Sequence, residues 1–147
     1  MNQADFEALL VANKMIEGDI RWGDDEDHSP AVEFRVEVES EAGHPIFIKG
    51  SYNALAQTLS YVLIHRGSGR VYALDLGNDH HNPDCNFVGD RHKHRWNEPL
   101  RDKEAYVPQD IHAPATNPLE VWEQFCIEAN IHHHGVMHQP PAAFRFP

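Results

Sequence analysis

Between Val32 and Glu39 the chain alternates without a break: Val32, Phe34, Val36 and Val38 are apolar, and Glu33, Arg35, Glu37 and Glu39 are charged. Successive side chains of an extended strand point to opposite faces, so this period describes a strand with one face on a core and one in water. Such a strand needs partners. The turn Glu41-Ala42-Gly43-His44 leads to Pro45–Lys49, where Ile46 and Ile48 share a face, and the two segments predict an antiparallel hairpin. Thr58 to His65 is rich in aromatic and β-branched residues, Arg66-Gly67-Ser68-Gly69 is a turn, and Arg70 to Leu76 is strand-like again, which predicts a second hairpin. Tyr52, Leu55, Ala56, Leu59 and Val62 also fit helical spacing, so Ser51–Val62 stays open between helix and strand.

The flanks supply helices. Asp5 or Asn2 can cap a first helix running to about Glu17, with Phe6, Leu9, Leu10 and Ile16 near one face and Gly18 ending it. Asn117-Pro118 opens another, with Asn as the cap, Pro at the first helical position, and Leu119, Val121, Trp122, Phe125 and Cys126 as its apolar face. Asp24–Pro30 reads as an acidic solvated loop and Gly77–Gly89 as a second loop; His92–Trp96 and Glu104–Val107 read as short edge strands. The expectation is an α+β fold: an antiparallel sheet of about five to six strands, a meander of hairpins packed by an N-terminal and a C-terminal helix. One domain spans residues 1–147, with a globular body over 1–131 and a His- and Pro-containing tail over 132–147.

Composition removes several classes. A chain of 147 residues with 41% apolar and 24% charged residues folds around a core and is not a disordered polyelectrolyte. Its longest apolar runs, Tyr61–Ile64 and Val71–Leu76 (broken by Asp75), fall far short of the roughly 20 residues a membrane helix needs. The start Met-Asn-Gln-Ala-Asp-Phe-Glu lacks a signal pattern, so a cytoplasmic location is expected, and Cys85 and Cys126 are expected to be free thiols. A net charge of −11 disfavours nucleic-acid binding that needs a broadly basic surface. The charge is uneven: ten acids lie between Glu17 and Glu41, whereas Arg91, Lys93, Arg95, Arg101 and Lys103 form a basic island able to hold a phosphate.

The chemistry-bearing stretch is Asp79 to Trp96. His80, His81, His92 and His94 lie within fifteen consecutive positions that also hold Asp84, Cys85 and Asp90, with Asp79 just before them. If His92–Trp96 is extended, His92, His94 and Trp96 point one way and Lys93 and Arg95 the other. Two imidazoles at that spacing can converge on one ligand. In a metal-independent ribonuclease, one neutral ring takes the proton of a ribose 2′-hydroxyl and a protonated one gives a proton to the leaving oxygen, while Arg91, Lys93 or Arg95 stabilises the phosphorane. That mechanism needs no cofactor. The metal alternative uses zinc or another divalent ion, with His80 or His81 and an aspartate joining His92 and His94. The run His132-His133-His134 reads as native sequence with adventitious affinity for metals.

The stretch Leu74-Asp75-Leu76-Gly77-Asn78-Asp79-His80-His81-Asn82-Pro83, followed by Gly89-Asp90-Arg91-His92-Lys93-His94-Arg95-Trp96, resembles small prokaryotic proteins of the TumE-like toxin group and a related uncharacterised family. The shared pattern is a strand ending near an aspartate, a His-containing turn and a downstream His-x-His, over about a third of the chain. The resemblance implies a small α+β toxin of a toxin–antitoxin pair that acts on RNA and is held inactive by a cognate protein partner. His81, His92 and His94 map best onto that pattern, and with Arg91 and Arg95 they form the expected catalytic set. The other expectation is a non-enzymatic inhibitor carried by a mobile element, whose acidic Asp24–Asp27 and Glu33–Glu41 region meets a basic partner.

Overall fold

Asn2 opens the first element. Its side chain accepts from the Asp5 amide at 2.8 Å while the Asp5 carboxylate accepts from the Asn2 amide at 3.0 Å, a capping box that starts helix α1, Gln3–Val11. The computed structural model of the chain describes residues 1–84 and 86–142, and the side chains of Asp79, His80 and His81 also lie outside the described residues, as do Cys85, Phe144 and Phe146. Helix α1 stops well before the expected Glu17, because Lys14–Glu17 leaves it as strand β1. Then come β2 (Gly23–Asp24), a single 3-10 turn at Glu26–His28, β3 (Val32–Ser40), β4 (Ile46–Asn53), β5 (Thr58–His65), β6 (Gly69–His81), β7 (Phe87–Arg95) and β8 (Ala105–Tyr106). Helix α2, Pro118–Glu128, capped by Asn117, precedes β9, Ile131–His134.

The fold is α+β with a mostly antiparallel sheet, and among the described residues it has nine strands rather than five to six, in the order β8-β7-β6-β5-β4-β3-β1-β9 with β2 on β3. The extra strands come from segments whose pairing is non-local. Ile131–His134, which runs on into the supposed tail 132–147, pairs in parallel with Lys14–Glu17, so the start of that tail is part of an integral strand. The supposed loop Gly77–Gly89 is largely strand as well: β6 and β7 continue past Leu76 through bulges to the pair His81↔Phe87. That places β7 inside the sheet, with only the two-residue β8 beyond it. Across Ser51–Val62 strand prevails over helix. The Asn53 side chain accepts from the Ala56 amide at 3.0 Å and closes a tight turn, and Tyr52 then pairs with Leu59 across the ladder.

One face of the sheet carries the core. Phe34, Ile48, Tyr61, Leu63, Tyr72 and Leu74 are buried there, and α2 lays Val121, Trp122 and Phe125 on them. Ring centroids stand 5.1 Å apart for Tyr61–Trp122 and 5.2 Å for Tyr72–Phe125. Burying each such ring contributes about 2–3 kcal/mol. Gly50 is required here, since a Cβ on it would meet the Phe34 ring at 2.1 Å.

The two helices end at one buried cation. The Lys14 ammonium donates to the carbonyls of Leu10 (2.8 Å) and Ala12 (2.9 Å) at the end of α1 and of Ala129 (2.7 Å) at the end of α2. The last carbonyls of a helix have no partner within it, and both helix dipoles put negative charge at that end, so a single fully buried lysine satisfies both. Lys14→Met keeps the volume of the chain but strands three buried acceptors, and we expect it to lower unfolding stability by about 3 kcal/mol. Urea melts check this; a loss under about 0.5 kcal/mol would show that the clamp carries little.

Candidate functional site

The ladder between β6 and β7 sets the site. Asp75 is directly opposite His92, and Ala73 is opposite His94, so the carboxylate lies beside two imidazoles that alternate along one strand. Oδ2 of Asp75 stands 3.3 Å from Nε2 of His92 and 3.5 Å from Nε2 of His94. The two rings are 5.1 Å apart and nearly perpendicular. The three ligand-type atoms all lie within 4.8 Å of one another. Both imidazoles are buried, and the Asp75 side chain keeps 17% of its surface exposed.

The far side of each ring is held by backbone. Nδ1 of His92 lies 3.1 Å from the carbonyl of Gly89, and Nδ1 of His94 lies 2.7 Å from the carbonyl of Asp102. A carbonyl only accepts, so each Nδ1 carries a proton, and each ring turns its Nε2 toward Asp75, where His92 also donates to the carboxylate. Gly89 has a φ of +101°, which a residue with a Cβ rarely adopts, and this backbone aims its carbonyl at His92. Burial and the nearby Arg70 charge pull the His94 imidazole down to about 4, so the ring is neutral at ordinary pH. Burial pushes the Asp75 carboxyl upward, but hydrogen bonds from His92 and Ser60 outweigh it, and its pKa lies below the usual carboxylate value.

The remaining sequence candidates lie elsewhere. Arg91 donates both guanidinium nitrogens to the carbonyl of Ala113, at 3.1 and 2.6 Å, and Arg95 is exposed. Lys93 enters the opposite face, where its buried ammonium meets Asp110 at 2.6 Å and Glu128 at 3.0 Å. The backbones of His80 and His81 pair with Gly89 and Phe87, but their side chains, the expected metal donor and the expected catalytic group, lie outside the described residues. Trp96 packs on Phe6, with ring centroids 6.0 Å apart. In β9, His134 pairs with Glu17 at 3.0 Å, and His133 is fixed between the Trp122 indole and the Gly18 carbonyl. The buried Cys126 thiol is pushed up by burial and Glu123, which makes it an unreactive core group.

Asp75 is the residue that sequence reasoning did not single out: it stood as a break in the apolar run Val71–Leu76 and within the Leu74–Pro83 stretch, and the metal alternative called for an aspartate without naming it. A carboxylate in the middle of an otherwise buried strand was the available signal, because such a group needs a partner across the sheet.

A mostly antiparallel sheet backed by two helices, with a carboxylate–dihistidine cluster set into its β6–β7 hairpin, is the class of α+β protein that fold and site define. Residues 1–131 match the model of a family of unknown function (DUF6978), and the chain belongs to that family. No curated protein and no solved structure matches it.

His94 should leave a mark on the acid stability of the metal-free chain. Its pKa is lower folded (about 4) than unfolded (about 6.5), so the unfolded chain binds more protons between those values. Its contribution is therefore complete above about pH 6.5 and fades as pH falls toward 4, by about 3 kcal/mol in all. Urea midpoints of the wild type should fall more steeply over that window than those of His94→Gln, and equal slopes would contradict the assignment.

Proposed function

We propose that this chain is a metal protein in which Asp75, His92 and His94 hold a divalent ion of the zinc class. The observation that carries the reading is the spacing of the ligand atoms. Around a tetrahedral ion with bonds of about 2.0–2.1 Å, neighbouring ligands stand about 3.3–3.4 Å apart, whereas an octahedral magnesium site brings them to about 3.0 Å. The two carboxylate–imidazole separations of 3.3 and 3.5 Å fit the first geometry, and the imidazole nitrogens, within 4.8 Å of each other, would draw together on the ion. Each ring also gives its other nitrogen to a backbone carbonyl, the arrangement that orients metal-bound histidines and raises their basicity. A neutral His94 beside an ionised Asp75 suits a cation, which would displace the Nε2 proton that His92 donates to Asp75.

Three ligands among the described residues leave a coordination position for water, and an ion there would lower the pKa of that water enough to make it a nucleophile near neutrality. Asp75, the most exposed of the three, marks the side from which water or substrate arrives. This is how the reading accommodates a hydrolase, including one directed at RNA. Rings only 2–3% exposed are poorly placed to touch a ribose as free acid and base, so the ion becomes the reactive group.

Elemental analysis of tag-free protein after zinc loading tests this. We expect about one tightly held zinc per chain, lost in the double variant His92→Ala and His94→Ala and retained in His132→Ala with His134→Ala, which removes surface imidazoles outside the cluster. Cobalt substitution should give the visible absorption of a tetrahedral site. Zinc uptake by the first double variant at the wild-type level would overturn the reading.

A further inference from the structure

Resting on that reading, we infer that Arg70 is a positioning residue for the ion site, acting through Asp102 on the imidazole of His94. The carbonyl of Asp102 receives Nδ1–H of His94 at 2.7 Å, the shortest contact either ring makes with backbone. The side chain of the same Asp102 accepts from Nε of Arg70, also at 2.7 Å. Arg70 belongs to β6, the strand that carries Asp75. One arginine therefore ties the strand of the carboxylate ligand to the loop that orients a histidine ligand.

The loop is shaped to present that carbonyl, and Arg70 is the side chain that ties Asp102 itself to β6. Asn97 and Arg101 exchange both backbone hydrogen bonds, at 2.9 and 2.7 Å, and the Asn97 side chain accepts from the Leu100 amide at 2.8 Å, which closes a tight turn. Arg101 takes a φ of +58°, outside the range most side chains prefer, and the next residue is Asp102. These bonds are internal to the turn and fix its shape. Arg70 adds a side-chain tie from Asp102 to β6, beyond the backbone bond that the Trp96 amide gives the Val71 carbonyl at 2.8 Å just before the turn. Both members of the pair are about one-third exposed, so the clamp works as a geometric tie with modest stability of its own.

Loss of a group that orients a metal-bound histidine weakens binding by roughly 10- to 100-fold. Arg70→Ala should raise the zinc dissociation constant about tenfold, Asp102→Asn should shift it the same way, and Arg70→Lys should recover most of the loss. Arg66→Ala is the control, since Arg66 is a half-exposed arginine paired with Glu37 on the other side of β5 from the site. A readout independent of metal comes from the ring nitrogen shifts of His94 in zinc-free protein. The wild type should show one tautomer, protonated at Nδ1, and Arg70→Ala should show a mixture.

Unchanged tautomer and unchanged affinity in a folded Arg70→Ala protein overturn the inference. If the wild type takes up no zinc, the ion reading fails by itself, and the tautomer comparison still decides whether Arg70 sets the ring.

Discussion

The register between β6 and β7 is the constraint on which the rest depends. With Asp75 opposite His92 and Ala73 opposite His94, one carboxylate reaches two imidazoles. A slip of one residue would turn every side chain of β7 over, sending the imidazoles into the aromatic core and Lys93 toward Asp75. The register is guarded from both faces. Lys93, between the two histidines in sequence, can be buried only because Asp110 and Glu128 wait for it behind the sheet. The strand is therefore held by polar demands on both sides, where a purely apolar strand would be free to slide.

Helix α2 takes part in the same arrangement. Its last residue, Glu128, places a negative charge where the helix dipole is already negative, an unfavourable position taken alone. It is compensated by three donors to one oxygen: Tyr72 at 2.5 Å, Tyr106 at 2.9 Å and Lys93 at 3.0 Å. Burial and Glu128 itself push both phenols well above their usual pKa, so they remain donors. Burial would raise the Glu128 carboxyl, but these bonds hold it below its ordinary value. Docking of α2 through Trp122 and Phe125 thus also supplies the counter-charge that keeps β7 in place. Lys14 does the equivalent for the two helix ends, so apolar packing and buried charge specify the same topology.

What could be read from the sequence was the local part. The alternation in Val32–Glu39, both hairpins and the Asn117-Pro118 helix start depend on period and turn chemistry within a few residues, and all are present. The errors share a cause. Lys14–Glu17 looked like the end of a helix because Ile16 kept helical spacing with Leu9, whereas its conformation is decided by β3 and by β9, more than a hundred residues away. A run of three histidines has no strand propensity to speak of, yet it pairs with β1. Glycine, asparagine and proline around residues 77–89 signalled a loop, but the chain absorbed them as bulges in a long hairpin. At the site, the spacing of His92 and His94 and the call for an aspartate were visible, but not that the aspartate is Asp75, because it joins them only through the cross-strand pair. The carbonyls of Gly89 and Asp102 carry no side-chain signature, so half of what orients the imidazoles could not be read from residue type.

The charge of the chain bears on which ligand such a site would meet. At −11 the protein repels polyanions at long range and attracts small cations. A divalent ion at Asp75, His92 and His94 would bring the cluster to a net charge of about +1, against a surrounding negative field that favours keeping it. An anionic substrate reaching the same place would be drawn only at short range, by the ion itself, because the Arg91 guanidinium is committed to a backbone carbonyl and Lys93 lies on the other face. The acidity that argues against a broad nucleic-acid surface is thus what makes a cation the natural first occupant, with any substrate arriving second and bound through it.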